Sequence, residues 1–437
     1  MFSQNRLMLL TRNALAVIAA GFVLTGWGHG AMVPPAANWE SVDDRMKWEA
    51  DQGFSGVVLV ARDGAIVFHK AYGMANRDKN IAMRPDSILA IGSTPIDFTK
   101  AGILVLAERG KVRLDDPITK YLDNVPEDKK SITVRHLMTG RSGLPDFHDA
   151  PGDRDKDHSW IDRAEAVRRI LGQELVFEPG KQRQHSHSAF GLLAAIIEIV
   201  SGQTYQEFIR EHLFKPAGMT DTGFFGDKYA EDRMAVGYGP RKDGEINAPP
   251  YWGKTSWLVM GSGGQISTAE DIWRWTRAVK GGKLMSKESL QVYTGPGEGM
   301  LVGGDMYGFD IYYSGNAKTF MVVMSNARNP KRRPLTEKLA EELTALVLDR
   351  KPARFALGIQ LALNDDGPIR IDAVVPHGAA ETAGLKAGDV LLNVNGKPIG
   401  DDPMKVLSAL LQSGDVIEFE IDRGGERKSV KVKPAPR

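Results

Sequence analysis

Ser93 and the pair His185-x-His187 are the residues of this chain whose types and spacing suit covalent chemistry. A serine hydroxyl is a weak nucleophile until a neighbouring base takes its proton. Histidine, which titrates near neutrality, is the usual base for that task. Ser93 stands in Ile91-Gly92-Ser93-Thr94-Pro95-Ile96-Asp97-Phe98-Thr99. The same run also reads as a helix start, with proline in the first turn and Thr94-x-x-Asp97 at capping-box spacing. Ser93 or Thr94 acting only as a helix cap is therefore the competing explanation. Lys100 lies seven residues after Ser93, about 10 Å along a helix, which is too far for its amine to serve as the base.

His-x-His also invites a metal reading. In an extended segment both imidazoles project to one side, and neutral imidazole suits zinc. A bare pair lacks the ligand count of a site, and a third ligand would have to come from Asp146, His148 or His158. No metal and no other cofactor is expected. Gly261-Ser262-Gly263-Gly264 lacks the strand, lysine and helix of a phosphate-binding loop and reads as a turn.

The elements that must position these residues follow from patterning. A helical stretch over 39–52 leads into a strand over 53–60. Arg62-Asp63-Gly64 then turns the chain into a second strand over 65–70, a hairpin signal. Helices are expected over 98–109, 164–172 and 191–201, the last stopped by Gly202. Two late strands, 308–313 and 319–325, precede a closing helix over 335–348. Strands at both ends with helices between predict one antiparallel sheet assembled from distant parts of the chain.

The 437 residues carry 56 basic against 55 acidic side chains. That balance argues against bulk nucleic-acid binding, where a basic face dominates affinity. The absence of cysteine excludes disulfides and thiolate chemistry. Arg6 and Arg12 precede an apolar run over 14–27, the pattern of a secretory signal within residues 1–31. The run is short of the roughly 20 residues of a membrane span. Export to a periplasm is the expectation, with an uncleaved N-terminal membrane anchor as the alternative.

Four separated segments share an order that resembles the β-lactamase and penicillin-binding-protein superfamily, in its class C and esterase-like branch. They are the Ser93 run continuing to Gly110-Lys111-Val112-Arg113-Leu114-Asp115-Asp116-Pro117; residues 132–145, ending Gly143-Leu144-Pro145; Pro179-Gly180-Lys181 through Gly191-Leu192-Leu193; and residues 263–271. The resemblance implies an α/β (α+β) fold over 53–348, an antiparallel sheet flanked by helices plus a helical subdomain. In that family the nucleophile lies in a Ser-x-x-Lys box, assisted by a Tyr-x-Asn motif and by Lys-Thr-Gly or His-x-Gly on a late strand. Here Ile96 holds the lysine position, His185 and His187 hold the tyrosine and asparagine positions, and Val302-Gly303-Gly304 is the nearest counterpart of the third motif. The tyrosine position faces the serine in the family, so the resemblance puts His185 against Ser93 as base. His187 is left to orient substrate or to help bind an oxyanion.

Past a linker at 349–354, residues 355–434 resemble a PDZ domain of the periplasmic-protease type. The likeness rests on Ala380-Glu381-Thr382-Ala383-Gly384-Leu385-Lys386-Ala387-Gly388-Asp389 and Asn395-Gly396. It implies a small β-rich domain in which Leu357, Gly358 and Ile359 offer backbone N–H groups to the C-terminus of a peptide or protein, the peptide adding as a strand.

Two functions fit. One is an exported, catalytically degraded hydrolase kept as a binding or regulatory protein, its cleft holding a peptide, a peptidoglycan-derived ligand or a partner protein. The other is an active esterase-like or peptidase-like enzyme with a Ser93–His185 centre, acting on a small ester or amide.

Overall fold

In the computed structural model, residues 42–147, 159–238, 247–294 and, with interruptions, 303–436 are described. The expected signal, the 349–354 linker, His148, His158 and Val302 lie outside them. The chain forms two compact units, one over Asp43–Ala340 and one over Glu341–Arg437. Among the described residues no single helix is long and apolar enough to cross a membrane.

The first unit is built on the expected hairpin. Strands β1 (Gly56–Arg62) and β2 (Ala65–Tyr72) meet at Asp63 and Gly64, both with left-handed backbone (φ 51° and 81°). That is the turn whose twist matches paired strands. Helices α1 (Pro95–Glu108), α2 (His187–Ser201) and α3 (Ala269–Lys280) follow. The chain then returns as β3 (Gly303–Met306), β4 (Phe309–Gly315) and β5 (Thr319–Ser325). The sheet runs β2-β1-β5-β4-β3. β1 and β5 pair antiparallel from Gly56↔Ser325 to Arg62↔Thr319, so the ends of the unit close on each other.

The helical layer shares one hydrophobic core with this sheet. α1 is buried from Pro95 to Leu106, and Phe98 packs edge-on against Trp275 of α3 at 4.7 Å. A helix sequestered this completely has little freedom to shift, which suits the residue just before it for a fixed position. α2 ends as expected at Gly202, in left-handed conformation. Of the expected closing helix, Leu339 and Leu343 are helical and fully buried.

The second unit has its own core, which includes Leu357, Ile359, Leu385, Phe419 and Ile421. Its main sheet places Ile359–Ala362 at one edge, paired antiparallel with Arg370–Val374. Asp389 is buried and held by Arg423, whose Nε donates to it at 2.6 Å.

Candidate active site

Ser93 sits in the turn between the short strand Leu89–Ala90 and α1. Gly92 takes a positive φ of 51°, a conformation open to glycine at little cost, and Pro95 begins the helix. The capping expectation fails here. Thr94 is the N-cap residue, yet its own backbone is helical and its side chain makes no capping bond. Its buried hydroxyl has no hydrogen-bond partner among the described residues. Ser93 Oγ instead lies 3.0 Å from His187 Nε2.

The position of His187 is set by the start of α2. Ser186 is the N-cap, accepting from the Ala189 N–H, and its hydroxyl donates to the Pro145 carbonyl at 3.0 Å. His187 is therefore the first residue of the helix. Its backbone N–H donates to Asp146 Oδ2 at 3.1 Å, and its Nδ1 lies 2.7 Å from the same oxygen. A carboxylate at a helix N-terminus is favoured by the helix dipole. Because an ionised carboxylate only accepts, the network assigns the ring proton to Nδ1 and leaves Nε2 to accept from Ser93.

Residues 140–146 are held beside 176–187 by backbone bonds from Val176 N to Gly143 O (2.9 Å), Gly180 N to Arg141 O (2.8 Å) and Gln184 N to Gly140 O (2.8 Å). Gly143 makes this approach possible: its φ is 78°, and a Cβ there would lie 2.0 Å from the Phe177 carbonyl oxygen. The expected turn at 261–264 ties the two site helices together. The Gly261 carbonyl accepts from the Thr99 hydroxyl at 2.6 Å, and a Cβ on Gly261 would meet the Phe190 carbonyl oxygen at 2.5 Å.

The histidine found at Ser93 is not the one expected. His187, not His185, is hydrogen-bonded to Ser93. The reason is local: Ser186 caps the helix, so the residue after it is the one anchored to Asp146. His185 lies in the preceding extended segment, exposed, with its ring 4.6 Å from that of His187 and nearly perpendicular to it. Phe147 presents an edge to His187 at 5.9 Å. Asp146, considered in the sequence only as a metal ligand, is the carboxylate partner of His187. A contact across 41 residues, made by a loop, leaves little signal in the sequence.

Ile96 is 1% exposed and belongs to the apolar core. Lys100 is buried with its Nζ 5.6 Å from the centre of the Tyr293 ring. The neighbouring Asp97 is also buried and accepts from the Tyr313 hydroxyl at 2.7 Å. Burial, then the charge of Asp97, pushes the Tyr293 and Tyr313 hydroxyls well above their ordinary range. Gly303 and Gly304, the described part of the expected third motif, pair with Tyr312 and Ile311 on the edge strand β3.

A serine, an imidazole and a carboxylate in this order are the parts of a nucleophile, a general base and its orienting group. The chain order Ser, Asp, His matches that of α/β-hydrolases, although this sheet is antiparallel.

In the second unit, Gly358 has a φ of 77°. The Leu357 carbonyl accepts from Ala380 N and the Gly358 carbonyl from Val375 N, each at 2.8 Å. The side chains of Leu357 and Ile359 point into the core. Leu357 and Gly358 thus lead directly into the edge strand that Ile359 begins.

Comparison with known proteins agrees with this architecture. The beta-lactamase family model matches residues 40–345 and the PDZ domain model residues 370–423. PbpX of Bacillus subtilis strain 168, which bears a penicillin-binding-protein name, is 32% identical over 292 residues, 63% of this chain and 72% of PbpX. Further curated relatives are spanned over about half of their own length or less. A penicillin-binding protein from Bacillus halodurans superposes with a TM-score of 0.59 at 24% identity, covering 70% of this chain and 99% of that one. The D-amino acid amidase of Ochrobactrum anthropi SV3, solved with D-phenylalanine, superposes with a TM-score of 0.60 at 20% identity over 71% and 98%. The protein therefore belongs to the beta-lactamase family, with a PDZ domain following its penicillin-binding-protein-like hydrolase fold.

Proposed function

We propose that residues 53–348 form a working serine hydrolase whose centre is Ser93, His187 and Asp146, acting on a small ester or amide. One observation carries this reading: a single ring, His187, meets Ser93 Oγ through Nε2 and Asp146 through Nδ1. Ser93 Oγ attacks the substrate carbonyl carbon while Nε2 takes its proton. The tetrahedral intermediate then collapses as the same nitrogen returns the proton to the leaving alcohol or amine. Water, deprotonated in turn by His187, cleaves the acyl-serine. Asp146 stays ionised throughout, holding the tautomer and offsetting the imidazolium charge. A base built from histidine makes the lysine position unnecessary, which accounts for an apolar Ile96.

PbpX is named for penicillin binding and a structural neighbour is an amidase, which favours an acyl amide or a peptidoglycan-derived peptide as substrate. An exported protein, carrying the signal read in residues 1–31, would meet such substrates in a periplasm. The PDZ domain, with Leu357-Gly358-Ile359 opening the edge strand Ile359–Ala362, has the form of a strand acceptor for a peptide C-terminus. It would bring a substrate or a partner to the hydrolase.

A second reading, a degraded hydrolase retained as a binding or regulatory protein, is favoured by Ile96 in place of the box lysine and histidines in place of Tyr-x-Asn. Fluorophosphonate labelling of purified protein separates the two. Labelling of the wild type that is lost in Ser93→Ala and His187→Ala but persists in His185→Ala supports the enzyme. Loss in His185→Ala with retention in His187→Ala would return the base to His185. A folded wild type that does not label would leave the binding protein.

A further inference from the structure

Asp146, His185 and His187 bring a carboxylate oxygen and two ring nitrogens within 4.8 Å of one another. We propose that these three side chains form a zinc site that switches the Ser93 centre off. The site stands on these three side chains alone, whereas the switch rests on the hydrolase reading; the ion acts as a reversible ligand and takes no part in acyl transfer.

Two neutral imidazoles and a carboxylate are a donor set that zinc accepts in tetrahedral geometry, leaving a fourth position for water. Bonds of about 2.0–2.2 Å place the ligand atoms of such an ion roughly 3.4 Å apart. Binding requires the cluster to adjust from its present spread, within 4.8 Å, to that spacing. His185 is the member placed to move: it is exposed and precedes the helix, whereas His187 and Asp146 are joined through the His187 backbone N–H. The His185 and His187 rings lie 4.6 Å apart, each with a nitrogen within 4.8 Å of an Asp146 carboxylate oxygen.

Inactivation follows from the two nitrogens of His187. Nδ1 is bonded to Asp146 and Nε2 to Ser93. An ion on Nδ1 displaces the proton shared with Asp146, and the neutral ring then carries its proton on Nε2, which presents an N–H and no lone pair to Ser93. An ion on Nε2 occupies the lone pair that receives the serine proton. Both arrangements leave Ser93 without a base.

The test measures zinc binding by competition with a chromogenic zinc chelator, using full-length, tag-free wild type, Ser93→Ala, His185→Ala and His187→Ala. Ser93→Ala keeps all three ligands and lacks the nucleophile, so its affinity does not depend on the hydrolase reading. One ion per chain is expected in wild type and Ser93→Ala, with affinity weaker by about tenfold or more in both histidine variants. His185→Ala, at an exposed position, decides the matter where His187→Ala fails to fold. Zinc should also block fluorophosphonate labelling of the wild type, and EDTA should restore it. No stoichiometric binding in Ser93→Ala, or unchanged affinity in His185→Ala, overturns the site. Zinc bound with full affinity while labelling proceeds overturns the switch. Expected binding in a protein that never labels supports the site and sinks the hydrolase reading together with the switch.

Discussion

Ser93 and His187, 94 residues apart, are joined by a 3.0 Å contact between Oγ and Nε2. The contact depends on two independent pieces of local structure. One is the glycine-relaxed turn that ends at Ser93. The other is the helix start that makes His187 the first residue of α2. Neither element alone brings a base to the hydroxyl.

Asp146→Asn separates geometry from charge. The amide retains size and can still accept from the His187 backbone. Its oxygen in the place of Oδ2 accepts from Nδ1–H as well, so the tautomer is kept and what is lost is the negative charge that offsets the imidazolium. Turnover of an activated ester should fall by about 10²–10⁴-fold in kcat, with KM and Tm little changed. A kcat within about twofold of wild type would remove Asp146 from the mechanism.

Ser186 is a positioning residue. Its hydroxyl accepts from Ala189 N and donates to the Pro145 carbonyl, beside Asp146. Ser186→Ala should cost about 0.5–2 kcal/mol of stability from the lost cap. It should also lower kcat more than it raises KM, because the alignment of His187 loosens. Ser186→Thr, which keeps the oxygen, should recover most of both. Urea titration and ester kinetics on the two variants check this, and an Ala variant less stable but with unaltered kcat would confine Ser186 to helix capping.

Much of the framework was legible in the sequence. Asp63-Gly64 announced the hairpin, and the 319–325 strand has the bounds expected of it. Helix starts were read late: 98 instead of Pro95 and 191 instead of His187. In both cases the first turn mixes apolar with polar residues, Ile96 beside Asp97 and Phe190 after His187 and Ser188, so the apolar run reads as starting later. That shift hid the choice of histidine, because the N-cap at Ser186 decides which imidazole is anchored. Asp146 was harder to read as a partner of His187, since a loop contact has no period.

Returning a lysine to position 96 should not restore the family's usual base. Ile96 is 1% exposed within the apolar core, so an ammonium there loses its hydration or its proton. Ile96→Lys should destabilise the protein by about 2–5 kcal/mol, and Ile96→Ala by a similar amount through its cavity. Neither should raise the rate of ester hydrolysis. A gain of about tenfold in Ile96→Lys would show that the lysine position still communicates with Ser93.

Stability should fall on the alkaline side through the buried tyrosines behind the site. Burial and the charge of Asp97 raise the Tyr293 and Tyr313 hydroxyls well above their ordinary value of 10.0. Their folded-state values therefore exceed their unfolded ones. The stability they contribute is complete below about pH 10 and is lost as pH rises further, because the unfolded chain releases these protons first. Urea midpoints at pH 8, 9.5 and 11 should be level between the first two and drop at the third. Tyr313→Phe takes away the hydroxyl that donates to Asp97, which should cost about 1–3 kcal/mol at pH 8. It also removes one titrating group, so the fall between pH 9.5 and 11 should be shallower than in wild type. An equal fall in both proteins would mean that Tyr313 is not among the groups that couple folding to pH.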